Sequence, residues 1–192
     1  MARHILIIDA HPDSSANHFV HALADAYAKG AESAGHEARI IRLAELDFPL
    51  LRSERDWHRA TPPAIAEAQA AILWAQHIAI FYPLWLGDMP ALLKAFLEQV
   101  MRPGFAFDQQ ANPMKTGLLG GRSARIVVTM GMPALVYRLF FGARSLRSFK
   151  WNILRFVGIR PVKATLIGGI EADTGRRRRQ LQAIRALGSK AA

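Results

Sequence analysis

Apolar residues along the chain gather in short unbroken runs, and between these runs they recur at helical spacing. His4 to Ala10 is a nearly continuous apolar run. It suits a central parallel strand, which is covered on both faces and need not alternate. Phe19, Leu23, Ala26 and Tyr27 then follow a helical period that Gly35 is placed to end. Ala38 to Leu43 reads as a second strand, the polar stretch Glu45 to Pro63 as a connection, Ala64 to Gln76 as an alanine-rich helix, and His77 to Tyr82 as a third strand. Asp88 and Pro90 are start signals for a helix that turns Leu93, Phe96, Leu97 and Val100 inward. Arg125 to Thr129 and Ala164 to Ile170 supply two more strands. Between them Leu135 to Val157 is basic, aromatic and helical in part, and Thr174 to Leu187 closes the chain as a basic helix. Strand and helix alternate throughout, which predicts one α/β domain over residues 1–192 with a doubly wound, largely parallel sheet.

The composition narrows the function without naming it. With 192 residues and 51% hydrophobic side chains, one domain can bury a substantial core. There is no cysteine, so disulfides, thiolate metal sites, iron–sulfur clusters and cysteine nucleophiles are excluded. That composition fits a cytoplasmic protein. The apolar run after His4 is too short for an export signal, and Lys94, Glu98, Arg138 and Arg144 interrupt the longest apolar stretches, so a soluble or peripheral protein is expected.

The formal charge of +10 is unevenly placed. Residues 1–121 carry 10 Lys/Arg against 13 Asp/Glu, and residues 122–192 carry 15 against 2. Such a surface attracts anionic cofactors. Phe140, Phe141, Phe149, Trp151 and Phe156 interleave with Arg138, Arg144, Arg147, Lys150 and Arg155. This fits a dimer-interface helix with a solvated basic face better than it fits nucleic acid, and it leaves peripheral contact with an anionic membrane open.

Ligands of open α/β sheets bind outside the carboxyl ends of the strands, which directs attention to three loops. The first, His11-Pro12-Asp13-Ser14-Ser15-Ala16-Asn17-His18, gathers hydroxyl, amide and imidazole groups before a helix, as a phosphate cradle or a plain helix cap would. It carries neither GxGxxG nor GxxxxGK[ST]. The second, Pro83-Leu84-Trp85-Leu86-Gly87-Asp88-Met89-Pro90, puts a tryptophan at a strand end, where a planar ring system would use it. The third, Thr129-Met130-Gly131-Met132-Pro133, lets the backbone approach a ligand at the glycine. The early histidines have spacings that match no common metal ligand set, so no metal site is expected.

The segment from Tyr82-Pro83-Leu84-Trp85 through Pro90-Ala91-Leu92-Leu93-Lys94 to Gly104-Phe105-Ala106-Phe107 resembles the signature of the NAD(P)H:quinone oxidoreductase (flavodoxin-2) family. His11-Pro12-Asp13, Thr129-Met130-Gly131 and Tyr137 follow in that family's order. The resemblance implies a three-layer flavodoxin-like fold with a five-stranded parallel sheet in the order 2-1-3-4-5. It implies non-covalent FMN or FAD, with His11, Ser15, Asn17 and His18 at the phosphate, Pro83, Leu84, Trp85 and Leu86 along the isoalloxazine ring, and Thr129, Met130, Gly131 and Met132 at its pyrimidine end. It further implies ping-pong hydride transfer from NAD(P)H to a quinone-like acceptor. Tyr137 and Arg144 would be the catalytic groups, and Phe105 and Phe107 would complete the substrate site across a homodimer. Where family members pair the tyrosine with a histidine, this chain has none after His77; Arg144 stands near that position and stays charged, which makes it a poor proton shuttle. A flavin-binding electron carrier or regulatory subunit is the alternative reading.

Overall fold

The computed structural model describes residues 1–111, 116–170 and 174–192. Five parallel strands, β1 (His4–Asp9), β2 (Glu37–Arg42), β3 (His77–Pro83), β4 (Ser123–Met130) and β5 (Val162–Gly168), form one sheet in the order β2-β1-β3-β4-β5, as expected from the resemblance. Every residue of β3 is buried, and β1 is buried from Ile5 onward, because helices cover both faces. The edge strand β2 carries Glu37, Arg39 and Arg42, charges that discourage pairing with another strand.

One face of the sheet is closed by α1 (Phe19–Ser33) and α6 (Thr174–Gly188), which pack with Ile5, Ile7, Ala79, Phe81 and Val127. These two helices touch backbone to backbone. A Cβ on Gly30 would overlap the Arg185 carbonyl, and one on Gly188 would overlap that of Tyr27. The other face is closed by α2 (Pro63–Trp74), α3 (Ala91–Val100), the short α4 (Ala134–Leu139) and α5 (Arg144–Ser148), and a π-helical turn over Phe149–Leu154. The basic, aromatic stretch expected to be helical in part is thus three short helical pieces, broken where Gly142 and Ala143 take positive φ.

Most boundaries shift by one or two residues from the sequence reading, and two of the differences bear on the site. Strand β5 ends at Gly168 and not at Ile170, because Gly169 turns the chain with φ +65°. Asp88 does not start α3. It pairs by backbone with Trp85 in a hairpin, and Pro90 stands at the helix cap instead. A 3₁₀ turn over Leu43–Glu45 leads into the connection from Glu45 to Pro63, and a second, Glu54–His58, lies within it.

At the amino end of β3, His77 is buried with Nε2 2.9 Å from the Tyr27 hydroxyl and Nδ1 2.7 Å from Ser123 Oγ. Burial, reinforced by the nearby cations Arg125, Arg3 and Lys163, lowers its pKa to about 4. Because the folded-state value lies below the unfolded one, the unfolded chain binds the extra proton first. The neutral ring therefore contributes stability above about pH 6.5 that is lost as pH falls toward 4. Replacing His77 with Asn is expected to remove about 3 kcal/mol of acid sensitivity across this window; unfolding midpoints measured against pH would run parallel in the two proteins if the idea is wrong. Gly30→Ala is expected to destabilise the fold by roughly 1–3 kcal/mol through the α1–α6 overlap, as read by urea unfolding.

Candidate active site

Chain connections leave β1 and β3 in opposite directions along the sheet, so their carboxyl ends flank the topological switch point. Three loops meet there. His11 of the first is edge-on to Trp85 of the second, with ring centroids 5.7 Å apart. The Leu84 N–H of the second donates to the Thr129 carbonyl, at the head of the third, at 2.7 Å.

The first loop is anchored by Asp9, whose carboxylate is wholly buried at the end of the central strand. His21 Nδ1 donates to Asp9 Oδ2 at 2.6 Å and His21 Nε2 to the Asp13 carbonyl at 2.9 Å, so the ring bridges strand end and loop. Arg42 at the end of β2 donates to the same Asp9 oxygen at 2.8 Å and to Asp25 of α1 at 2.8 Å. These acids raise the Arg42 pKa, Asp25 foremost through its hydrogen bond. One buried carboxylate thereby ties β1, β2, α1 and the loop together.

Above this anchor, His11 stacks on His18 at 3.8 Å. His11 Nδ1 lies 3.1 Å from both the Asp13 N and the Asp13 carbonyl oxygen, which fixes the ring on the loop backbone. Burial, with neighbouring His18 and His21, lowers the His11 pKa and favours the neutral ring. Helix α1 begins without a side-chain cap and without an acid in its first turn. An uncapped helix start of this length suits an anion. The loop already gathers one: the Asp13 carboxylate accepts from the Ser15 N–H at 2.8 Å and from His18 Nε2 at 2.8 Å. These donors, the Ser15 bond first, hold the Asp13 carboxyl well below the usual carboxylate range. His18 Nε2 also lies 3.1 Å from Ser15 Oγ, while Asn17 is exposed at the turn into α1.

The second loop is a two-residue hairpin. Trp85 and Asp88 exchange both backbone hydrogen bonds at 2.9 Å around Leu86 (φ 48°) and Gly87 (φ 80°). Positive φ at both central positions is the type I′ turn, natural for Gly87 and strained for Leu86. The turn presents Trp85 half-exposed beside His11 and projects Leu86 fully into solvent, while Pro83 is buried and Leu84 partly so.

In the third loop Thr129 and Met130 are buried, whereas Gly131 and Met132 are exposed. The Thr129 hydroxyl has no hydrogen-bond partner among the described residues. A buried hydroxyl without a partner at a strand's carboxyl end is a place for a ligand's polar atom. Gly168 was not foreseen as part of the site: a Cβ there would overlap the Ala134 N and Met132 carbonyl, so the loop rests directly on β5. Asp9 was missed as well, although a carboxylate inside an apolar run was the available signal.

Tyr137 is placed differently from expectation. It is buried, with its hydroxyl 2.7 Å from Ser145 Oγ and accepting the Leu146 N–H at 3.3 Å, so it ties α4 to α5 and is not free to face a ring. Arg144 is exposed at the first position of α5. Phe105 and Phe107 pack on the chain's own core, Phe107 within 5.4 Å of Phe156 and 6.4 Å of Trp57. Tyr137, Phe105 and Phe107 are therefore not gathered into the His11–Trp85–Thr129 platform by the hydrogen bonds and ring contacts above.

An uncapped helix start, an exposed aromatic and an unpartnered hydroxyl meet at the switch point of a 2-1-3-4-5 sheet, where doubly wound α/β proteins bind ligands. Residues 3–190 match the family model described as a flavodoxin-like fold (Flavodoxin_2), and the chain belongs to that family. It is 31% identical over 170 residues to an uncharacterized NAD(P)H oxidoreductase of Haemophilus influenzae, covering 86% of this chain and 83% of the relative. An NAD(P)H:quinone oxidoreductase from Methanothermobacter marburgensis has a similar structure, with TM-score 0.82, 24% identity, and coverage of 99% and 97% of the two chains. So has an FMN-dependent NADH-azoreductase from Bacillus anthracis solved in complex with FMN, with TM-score 0.75, 16% identity, and coverage of 97% and 98%.

Asp9→Asn leaves His21 and Arg42 facing a neutral amide in a buried setting. It is expected to cost about 3–5 kcal/mol, seen as a lower denaturant midpoint; a loss below about 1 kcal/mol would show that Asp9 does not organise the loop.

Proposed function

We propose that the chain is a flavin-dependent NAD(P)H oxidoreductase of the quinone-reductase type, with FMN as its flavin. The observation that carries this reading is the meeting of the anion-gathering loop His11–His18, the exposed Trp85 and the unpartnered Thr129 hydroxyl at one switch point. FMN is preferred to FAD because the loop supplies donors for one phosphate and the Bacillus anthracis relative holds FMN. FMN bound there would supply two-electron redox chemistry between NAD(P)H and a quinone-type acceptor.

The chain's own residues bind and orient. The first N–H groups of α1, Ser15, Asn17 and His18 hold the phosphate, with the neutral His11 ring fixed beside them. Asp13 must yield or share its donors, which tempers affinity. Trp85 supplies a flat wall, and the strained Leu86–Gly87 turn offers backbone N–H groups at the ring's edge. Thr129 and the Met130–Met132 backbone serve the pyrimidine end, where negative charge grows on reduction. Tyr137 acts by positioning: its hydroxyl fixes α5 and so the cation Arg144. Arg144 stabilises negative charge without passing a proton, so the rate should lack the near-neutral pH step that a histidine would impose. Phe105 and Phe107 take part in acceptor binding in a homodimer, next to the partner's platform.

Absorbance spectroscopy tests the proposal. The purified protein titrated with FMN should show the visible flavin bands shift, anaerobic NADH or NADPH should bleach them, and a quinone should restore them. Flavin that binds but does not bleach would favour an electron carrier or regulatory subunit, and failure to bind FMN or FAD would falsify the proposal. Trp85→Ala should weaken FMN binding by roughly tenfold, corresponding to about 1–2 kcal/mol of aromatic contact.

A further inference from the structure

From Arg122 to Ile170 the chain has nine lysines and arginines and no aspartate or glutamate. The same stretch exposes large apolar side chains at the α4–α5 corner: Leu135 is 64% exposed, Leu139 70%, Phe140 89% and Phe141 53%. They stand on a short helix whose end is turned outward by Gly142 (φ 62°) and Ala143 (φ 47°). Arg138, Arg144 and Arg147 flank them, all exposed, and none takes part in an ion pair among the described residues. Behind the corner a groove of about 670 Å³, lined by Leu135, Arg138, Leu146, Arg147, Lys150 and Trp151, continues the same chemistry.

A protruding apolar tip ringed by cations fits few partners. A second copy bringing the same face to this one would set Arg138, Arg144 and Arg147 against their equivalents with no acid on either side, which a self-complementary interface disfavours. Nucleic acid would pair with the cations but would leave the aliphatic Leu135 and Leu139 without a counterpart. An anionic bilayer satisfies both: phosphates meet the guanidinium groups while the apolar tip enters the headgroup–acyl boundary. Among the described residues no helix is long and apolar enough to cross a membrane, so the contact is peripheral.

The geometry points to the α4–α5 corner as a peripheral docking surface for an anionic lipid bilayer, with Leu135, Leu139, Phe140 and Phe141 entering the interface and Arg138 and Arg147 on the lipid phosphates. Exposed Met132 and Val136 continue the apolar surface from this corner to the third loop. On the function proposed above, that path suits an acceptor dissolved in the membrane; the docking itself does not depend on that function.

Vesicle co-sedimentation tests the surface without flavin or acceptor. The protein should bind phosphatidylglycerol-containing vesicles, bind neutral phosphatidylcholine at least tenfold less, and release partly at high salt. The paired substitution Phe140→Ser, Phe141→Ser should lower partitioning about tenfold or more. Arg138→Gln and Arg147→Gln should each lower it roughly fivefold on anionic vesicles only. Equal binding to neutral and anionic vesicles, or no change in the phenylalanine pair, would overturn the inference. So would light scattering that shows the phenylalanine pair converting a dimer to a monomer, which would assign the corner to a second copy. Because FMN binding is read separately, loss of one result leaves the other standing.

Discussion

The Asp9 carboxylate, buried at the end of the central strand, is the constraint on which the site depends. A charge in that position is costly unless it is paired and fully hydrogen-bonded. His21 and Arg42 supply the pairing from two different elements, and His21 passes the restraint on to the Asp13 carbonyl. The first loop is consequently held from below by α1 and β2. Its upper surface remains free to present the His11–His18 stack and the start of α1. Rigid support beneath and open donors above is the division of labour a preorganised anion site requires.

The second and third loops depend on backbone more than on charge. Leu86 and Gly87 accept left-handed conformations so that a two-residue turn can hold Trp85 against His11, and Gly168 lacks a side chain so that the Met132–Ala134 segment can lie on β5. Strain at Leu86 and an unsatisfied hydroxyl at Thr129 are both unfavourable in isolation. Their concentration at the switch point is what distinguishes a binding surface from an ordinary sheet edge.

Charge and apolar surface are divided along the chain as well as in space. The amino-terminal portion balances its charges, and Asp9, Asp13 and Asp25 are spent on organising the first loop. In the stretch from Arg122 to Ile170, Arg122 and Arg125 are tied to backbone carbonyls and Thr165, whereas Arg138, Arg144 and Arg147 stand exposed around leucine and phenylalanine side chains. The third loop, with Gly131 and Met132 exposed, lies between the two regions.

The sequence by itself marked the strands of a parallel sheet. Nearly continuous apolar runs at His4–Ala10 and His77–Tyr82 suit strands covered on both faces, and helical periodicity between strands fits parallel crossovers. It also marked the three loops, because histidine, serine, tryptophan and glycine at strand ends are conspicuous where core residues would otherwise continue. Only the tertiary structure decided the rest. Asp88 looked like a helix start until its backbone paired with Trp85, three residues earlier, in a hairpin. Tyr137 was expected as a catalytic group from the resemblance, and the fold gives its hydroxyl to Ser145 and Leu146, eight and nine residues later. The partners of Asp9 lie twelve and thirty-three residues away, and no local pattern encodes which distant side chains a fold will bring to a buried charge.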